Sequence, residues 1–309
     1  MTNTNIKQIF TESGLVELKS HSITKDCADL LTDLYRAGTS LKLIPRSQSD
    51  VQVVSTAESY LAFDETAQKG LVLISDLISN SIATAAKSSR LVVASLYDIA
   101  KHLQSFHKLL SNSFIQRSIR EVLGTQTLAM HKDSVGMRID LPGEHMFLTN
   151  LHQEFHSYPF ALNAAVLWIP LTRINRTHGT LAFYPRPHFC YPFPFESDIS
   201  KQDSMLAEGR LQEAQKVGEL IVTSAELGPT KSLDTEPGGC YIFSALLPHQ
   251  SVMAKPESTL ARLTCQARFF DLNDPFFAWK HQRGTPWSGL KRPSEAWELW
   301  KEWLHVQSD

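Results

Sequence analysis

Apolar residues fall at helical spacing in the first part of the chain. Intervals of three or four residues separate Leu96, Ile99, Leu103, Phe106 and Leu110. This spacing predicts a helix over about 95–122 that ends at Gly124, and a similar pattern predicts a helix over about 24–38. We therefore expect residues 1–125 to form an N-terminal helical region that packs on the rest of the protein.

Beyond residue 125 the apolar runs become short and are separated by Pro, Gly and Asn. The runs are 135–139, 163–171, 180–184, 219–222, 240–246 and 260–270. Many short strands with turn residues between them are typical of a sandwich or a barrel. We expect residues 126–275 to form a mainly β core, a double-stranded β-helix (a cupin-like jelly roll), to which helices have been added.

The C-terminal residues 276–309 are rich in tryptophan. Trp297, Trp300 and Leu304 would share one face of a helix. This predicts a short C-terminal helical tail that packs on the jelly roll. The alternative is that the tail contacts a second copy of the chain in a homodimer.

Composition excludes several classes of partner. The chain has 309 residues, of which 42% are hydrophobic and 20% charged, as in ordinary globular proteins. The net charge of −2 gives no basic surface for nucleic acid. The apolar runs are too short to cross a membrane, and the N-terminus lacks the apolar segment of an export signal. The cysteines (Cys27, Cys190, Cys240 and Cys265) form no CxxC pair. We therefore expect reduced thiols and a cytoplasmic protein.

Two histidines and one acid predict a metal site. His152 and Glu154 are two residues apart, so in a strand their side chains would point to the same side. A Pro-Gly-Gly turn at 237–239 leads into an apolar strand that ends at His249. Two histidines and a carboxylate on one face of an ion leave coordination positions open, as in non-haem iron oxygenases. We expect His152, Glu154 and His249 to be the metal ligands and the catalytic centre.

The strand after this histidine predicts an anion site. Polar residues at 262, 264, 266 and 268 alternate with apolar residues at 263, 265 and 267, so one face of the strand would line a polar interior. Arg262 can hold a carboxylate at two points, which lysine cannot do. Ser251 shares a strand face with His249. Arg268 is the alternative clamp.

From about Arg138 to Asp271 the chain resembles the phytanoyl-CoA dioxygenase family of iron(II)- and 2-oxoglutarate-dependent oxygenases. The similar stretches are 137–144, the pair His152 and Glu154, 168–172, 175–181, 185–188, the Gly-rich turn, His249-x-Ser251 and Arg262. The resemblance implies that His152, Glu154 and His249 bind Fe(II). It also implies that Arg262 and Ser251 hold the distal carboxylate of 2-oxoglutarate. The family usually has Asp where this chain has Glu154, which is one methylene longer.

The resemblance further implies a dioxygenase that uses 2-oxoglutarate and O2 as cosubstrates and hydroxylates a small organic metabolite, for example in natural-product biosynthesis. Two alternatives stay open: a protein side-chain hydroxylase and a non-catalytic, metal-binding cupin-like protein. Arg138, His156, Tyr158 and Trp168 flank the ligands and are expected to line the substrate pocket, with strand packing as their other role. The sequence leaves open the substrate and the choice between hydroxylation, desaturation and ring closure.

Overall fold

The computed structural model describes residues 5–131, 134–144, 148–196, 201, 204, 205, 207, 208, 219–283 and 293–308. Its helices in this part are α1 (Ile6–Ser13), α2 (His21–Ser40), α3 (Gln48–Leu61), α4 (Ala67–Ser88), α5 (Leu91–His102), α6 (Gln104–Leu110), α7 (Ser113–Leu123), α8 (Glu154–Ser157), α9 (Ser224–Leu227), α10 (Pro275–Gln282) and α11 (Pro293–Ser308). Its strands are β1 (Leu15–Leu18), β2 (Leu128–Met130), β3 (Gly136–Asp140), β4 (Ala164–Pro170), β5 (Thr180–Phe183), β6 (Phe195–Glu196), β7 (Glu219–Leu220), β8 (Lys231–Ser232), β9 (Cys240–Ser244), β10 (His249–Val252) and β11 (Arg262–Asp271).

Most of the strands form two facing antiparallel sheets, and β6 pairs with β7 in a separate two-stranded sheet. The larger has the order β1-β9-β4-β11-β2, with β3 also paired to β11, and the smaller has the order β10-β5-β8. Apolar side chains from both sheets meet in one cluster that includes Val166, Trp168, Leu181, Phe183, Tyr241 and Phe243. The rings of Phe183 and Phe243 lie 5.0 Å apart between the sheets. The predicted jelly roll with helical additions is confirmed.

The outer face of the larger sheet is covered by the N-terminal helices. Alternate residues of the same strands, such as Leu167 in β4 and Ile242 in β9, join a core cluster with Leu31 of α2 and Ile74 of α4. This period-two alternation makes both faces of the central strands apolar. The larger sheet therefore has the N-terminal helices on one face and the smaller sheet on the other.

The predicted single helix over 95–122 is wrong, because the chain forms three helices there. Leu103 has extended backbone angles (φ −71°, ψ 133°) between α5 and α6. The side chain of Asn112 then accepts hydrogen bonds from the backbone of Phe114 and Ile115, which starts α7. The predicted stop at Gly124 is confirmed by its left-handed conformation (φ 65°).

The N-terminal region also supplies a strand that its pattern did not predict. β1 pairs with β9 and forms one edge of the larger sheet. Gly14 turns the chain from α1 into this strand with a positive φ of 69°, and a Cβ there would lie 2.8 Å from the Arg186 carbonyl oxygen. The region boundaries at 125 and 275 stay a prediction.

The C-terminal helix packs on the core, as predicted. A cluster around Trp300 of α11 joins the C-terminal helices to α8 and to the turn after β9, through Phe155, Leu246, Phe276, Ala296 and Leu299. Leu304 was expected on the same buried face, but 42% of its surface is exposed. The tail therefore supports α8, and a tail contact in a homodimer stays a prediction.

Replacing Trp300 with alanine should lower the free energy of unfolding by about 3–5 kcal/mol, because it removes a large buried side chain. Leu304→Ala, on the exposed side of the same helix, should change it by less than about 0.5 kcal/mol. Urea denaturation followed by circular dichroism measures both. Equal effects of the two substitutions would contradict this packing of α11.

The structure bears on two expectations from composition, the reduced cysteines and the lack of a membrane-spanning segment. All four cysteines are free, and Cys27, Cys240 and Cys265 are buried, which confirms the predicted thiols. Among the described residues, no helix is long and apolar enough to cross a membrane. The cytoplasmic location and the absence of a nucleic-acid partner stay predictions.

Candidate metal centre

Backbone pairing brings the two histidines together. His152 and His249 form an isolated antiparallel bridge in which each amide donates to the other's carbonyl oxygen at 3.0 Å. The two imidazole rings consequently lie side by side, with centroids 4.2 Å apart. His249 is the first residue of β10, so the bridge extends the smaller sheet to the segment that carries His152.

Glu154 reaches the same point from a helical turn. The prediction that His152 and Glu154 lie on one continuous strand is wrong, because Gln153 is the last extended residue and α8 begins at Glu154. The Gln153 side chain holds this change of direction by donating to the Leu246 carbonyl at 2.5 Å and accepting from the Phe193 amide at 2.7 Å. The Glu154 Oε1 atom still lies 3.8 Å from His152 Nε2 and 3.7 Å from His249 Nε2.

Both histidines are held with Nε2 toward the carboxylate. The Nδ1 atom of His152 lies 2.8 Å from the Asn150 carbonyl oxygen, and that of His249 lies 2.9 Å from the Leu247 carbonyl oxygen. A carbonyl can only accept, so Nδ1 carries the proton and the Nε2 lone pair is left for an ion. The ligand atoms of the three residues all lie within 4.8 Å of one another. This donor set fits a divalent transition metal.

Burial and charge keep His249 and Glu154 in the form that can bind a metal ion. Burial and the neighbouring His152 lower the pKa of His249, which keeps its imidazole neutral. Burial alone would raise the pKa of Glu154, but Arg268 and the two histidines outweigh it and hold that pKa well below its usual range. The carboxylate is therefore ionised at neutral pH.

A second buried acid joins two arginines at the other side of the site. Asp140 on β3 lies opposite Arg262 on β11 in the sheet register. Arg262 donates to Asp140 Oδ2 through Nε at 3.1 Å and Nη2 at 2.9 Å, and through Nη1 to the Thr180 carbonyl at 2.8 Å. Arg138 Nη2 donates to Asp140 Oδ1 at 2.8 Å. One carboxylate thus fixes two guanidinium groups.

A cavity of about 260 Å³ connects these groups. It is lined by Tyr97, Arg138, Thr149, His152, Glu154, Ser157, Tyr158, Trp168, Leu181, Phe243, His249, Ser251, Arg262, Gln266 and Arg268. The structure therefore brings together the three predicted ligands, the two predicted cosubstrate residues and three of the four predicted pocket residues.

The fourth predicted pocket residue, His156, lies elsewhere. Its side chain is buried behind α8, where Nε2 lies 3.0 Å from the Phe193 carbonyl oxygen and the ring stacks on Phe195. Burial lowers its pKa to about 4, so the ring is neutral. The expectation that His156 lines the pocket is corrected: the helical turn that starts at Glu154 rotates it away from the cavity.

Some lining residues were missed from the sequence. Tyr97 comes from α5, so the N-terminal helical region contributes to the site; its hydroxyl donates to the Ile139 carbonyl and accepts from the Ile139 amide. No local pattern marks this residue. Gln266 was not missed, since it lies on the strand face that was expected to line a polar interior. Asp140 is not a lining residue, but it shares a strand face with Arg138, which the sequence could have indicated.

A family model describes well over half of the chain. Residues 57–254 match phytanoyl-CoA dioxygenase (PhyH). The chain belongs to the phytanoyl-CoA dioxygenase family. The match includes His152, Glu154 and His249, and it confirms the resemblance that the sequence motifs indicated. Among curated proteins, none matches the chain.

Solved structures similar to the chain include two non-haem enzymes, SnoN and ThoJ, and the protein EvdO2. The epimerase SnoN from nogalamycin biosynthesis is 16% identical with a TM-score of 0.41, over 57% of this chain and 61% of SnoN. The monooxygenase ThoJ is 14% identical with a TM-score of 0.45, over 87% and 78%. EvdO2 from Micromonospora carbonacea var. aurantiaca, complexed with 2-oxoglutarate, is 16% identical with a TM-score of 0.38, over 50% and 58%. The chain thus spans less than two thirds of SnoN and of EvdO2.

Replacing Glu154 with aspartate should keep the ligand set but weaken metal binding by about tenfold, which is 1.4 kcal/mol. The shorter side chain moves the carboxylate by about 1 Å from a position that Arg268 and both histidines define, and preorganised sites respond to such shifts. Competition with a chromophoric chelator measures the affinity. Glu236→Asp, at an exposed ion pair with Arg173, is the matched control and should leave the affinity unchanged. Unweakened binding in Glu154→Asp would remove Glu154 from the ligand set.

Proposed function

We propose that the protein is an iron(II)- and 2-oxoglutarate-dependent oxygenase that hydroxylates a small organic molecule. The observation that carries this proposal is the convergence of His152, Glu154 and His249 on one point of a cavity that also contains Arg262. Membership of the phytanoyl-CoA dioxygenase family supports it.

The three ligands would hold iron(II) through the two Nε2 atoms and Glu154 Oε1. When bound, the ion supplies the redox chemistry that activates dioxygen. Three protein ligands leave coordination positions open for small molecules, which suits an oxygenase better than a closed structural site. The protein's part is to orient these groups and to enclose them, since Glu154 and His249 are both buried.

Charge supports Arg262 as the residue that binds the distal carboxylate of 2-oxoglutarate. Arg138 and Arg262 both pair with Asp140, so among the described residues two guanidinium groups meet one carboxylate there. Arg268 is instead matched one to one by Glu154. Among the described residues, the partners of Arg262 occupy three of its five N–H groups, so one N–H on each terminal nitrogen can meet a carboxylate.

Ser251 is a suitable second donor to the same carboxylate. Its hydroxyl oxygen accepts from the Thr149 amide at 3.2 Å, so its own proton can be donated to a ligand in the cavity. Ser251 lies two residues after His249 on β10 and lines the cavity together with Arg262. The two candidates for the cosubstrate therefore come from different sheets and meet between them.

Cavity size limits the part of the substrate that enters to a compact group. About 260 Å³ among the described residues is slightly below the usual range of ligand pockets, and 2-oxoglutarate would take part of it. Tyr97, Tyr158 and Trp168 supply aromatic surface next to the polar groups. Such a lining suits a compact organic metabolite with both apolar and polar groups.

The test is a screen of small metabolites with iron(II), 2-oxoglutarate and labelled dioxygen. Hydroxylation consumes 2-oxoglutarate, O2 and a C–H bond and gives succinate, CO2 and an alcohol, with one labelled oxygen in succinate and one in the product. We expect substrate-dependent succinate and a product heavier by one oxygen atom, both lost in Glu154→Ala. Succinate formed with a desaturated or cyclised product would retain the oxygenase and reject hydroxylation.

A further inference from the structure

The metal-ligating carboxylate already has a cationic partner. Arg268 on β11 donates to Glu154 Oε1 through Nη2 at 2.9 Å and to Oε2 through Nε at 3.2 Å. Both side chains are buried. Arg268 is itself fixed, because Nη1 donates to the Ser134 carbonyl at 3.1 Å and the guanidinium lies 5.0 Å from the centre of the Tyr158 ring. This is a two-point ion pair inside the metal centre.

The ion pair and the metal would use the same oxygen. Glu154 Oε1 accepts from Arg268 and is also the atom that faces His152 Nε2 and His249 Nε2. Oε2 is bonded to Arg268 alone among these groups. An ion at the three ligands would therefore share Oε1 with a guanidinium, and one carboxylate would hold two cations.

We propose that Arg268 is a positioning residue of the metal centre that holds Glu154 in place without metal and competes with the ion for it. The proposal rests on the metal site of the proposed function. It assigns Arg268 a role distinct from that of Arg262.

Two opposing effects decide what removal of Arg268 does to metal affinity. Loss of a buried positive charge next to the ion removes a like-charge repulsion, which is strong at low dielectric. Loss of the clamp lets one glutamate side chain move, which has the smaller effect. Without Arg268, metal binding should therefore tighten. The metal-free protein should become less stable, because a buried carboxylate loses its partner.

The test is titration of the metal-free, full-length protein with cobalt(II), whose visible absorption reports on its ligands. Arg268→Gln should bind cobalt(II) at least about tenfold more tightly than wild type, with a changed visible spectrum. Its melting temperature without metal should be lower and should rise more on cobalt(II) binding. General damage to the fold would weaken binding, so a gain in affinity separates this role from a structural one.

Arg262→Gln is the matched control. Arg262 is a buried arginine on the same face of β11, but it pairs with Asp140 and not with a metal ligand. Its removal should change the cobalt(II) affinity by less than about threefold and leave the visible spectrum as in wild type. Arg268→Met removes the charge and keeps a long side chain. It should also bind cobalt(II) about tenfold more tightly than wild type, and it carries the test if Arg268→Gln does not fold.

The outcomes separate the two proposals. If wild type binds no cobalt(II) at these ligands, the metal site and the proposed function fail together. If wild type binds cobalt(II) and the folded Arg268 variants bind it equally or more weakly, only the role of Arg268 is overturned. If Arg262→Gln also binds cobalt(II) tenfold more tightly, then loss of any nearby positive charge raises the affinity. This result would also overturn the role of Arg268.

Discussion

His249→Ala should abolish iron(II) loading at micromolar iron while the protein keeps its fold. The substitution removes one of three ligand atoms that lie within 4.8 Å of one another, and His152 with Glu154 cannot complete the site alone. Apolar side chains surround the ring, including Phe183 and Phe243, so a small side chain at this position keeps its packing neighbours. His152→Ala should behave in the same way.

Metal analysis after anaerobic loading and desalting measures this effect. The matched control is His178→Ala, since His178 is a partly buried histidine whose Nδ1 lies 3.0 Å from the Ser258 hydroxyl oxygen and which does not line the cavity. We expect it to retain about one iron per chain, the content that we also expect for wild type. Stoichiometric iron in both His152→Ala and His249→Ala would show that the ion binds elsewhere.

Arg262→Ala should raise the apparent dissociation constant for 2-oxoglutarate about ten- to hundredfold. The distal carboxylate loses a charge-assisted, two-point partner, which costs on the order of 1.5–3 kcal/mol. Asp140 keeps its contact with Arg138, so the buried acid is not left without a partner. Iron binding should be nearly unchanged, because Arg262 is not a ligand.

Two further variants sharpen this prediction. Arg262→Lys should recover only part of the affinity, because the fork geometry is lost. Arg173→Ala, at an exposed ion pair with Glu236, is the control and should bind 2-oxoglutarate as wild type does. If Arg262→Ala also binds like wild type, the clamp lies elsewhere, and Arg268 is the next residue to substitute.

The metal centre could be predicted from the sequence because its signals are local. His152 and Glu154 are two residues apart, and His249 follows a turn and an apolar strand. These features do not depend on how distant strands align. The sequence predicted a strand at Glu154, where α8 begins instead. The Glu154 side chain still points toward His152, because Gln153 is extended before the helical turn.

The contacts among the groups around the ligands could not be predicted, because they depend on strand register. Asp140 meets Arg262 only because β3 aligns with β11 at that residue, and a shift by one residue would turn every side chain to the other face. Arg268 meets Glu154 across 114 positions of sequence. Tyr97 reaches the cavity through the packing of α5 against β3, which an amphipathic pattern does not specify.

In the helices, too, features that depend on one residue could be predicted, and features that depend on tertiary packing could not. Gly124 ends α7 as the sequence predicted, because a positive φ is a property of that residue. The break at Leu103 was missed, because apolar spacing continues through it while the backbone turns to let α6 pack against α2. Periodicity predicts that a segment is helical but not where tertiary packing interrupts it.

Anaerobic titration of the iron(II)-loaded protein with 2-oxoglutarate tests the central claim most directly. Chelation of the ion by the 2-oxo acid gives a metal-to-ligand charge-transfer band that neither component has alone. We expect this band to saturate at about one 2-oxoglutarate per iron in wild type. A protein that loads iron at His152, Glu154 and His249 and shows no band at any concentration would contradict the oxygenase, and it would be a metal-binding cupin-like protein instead.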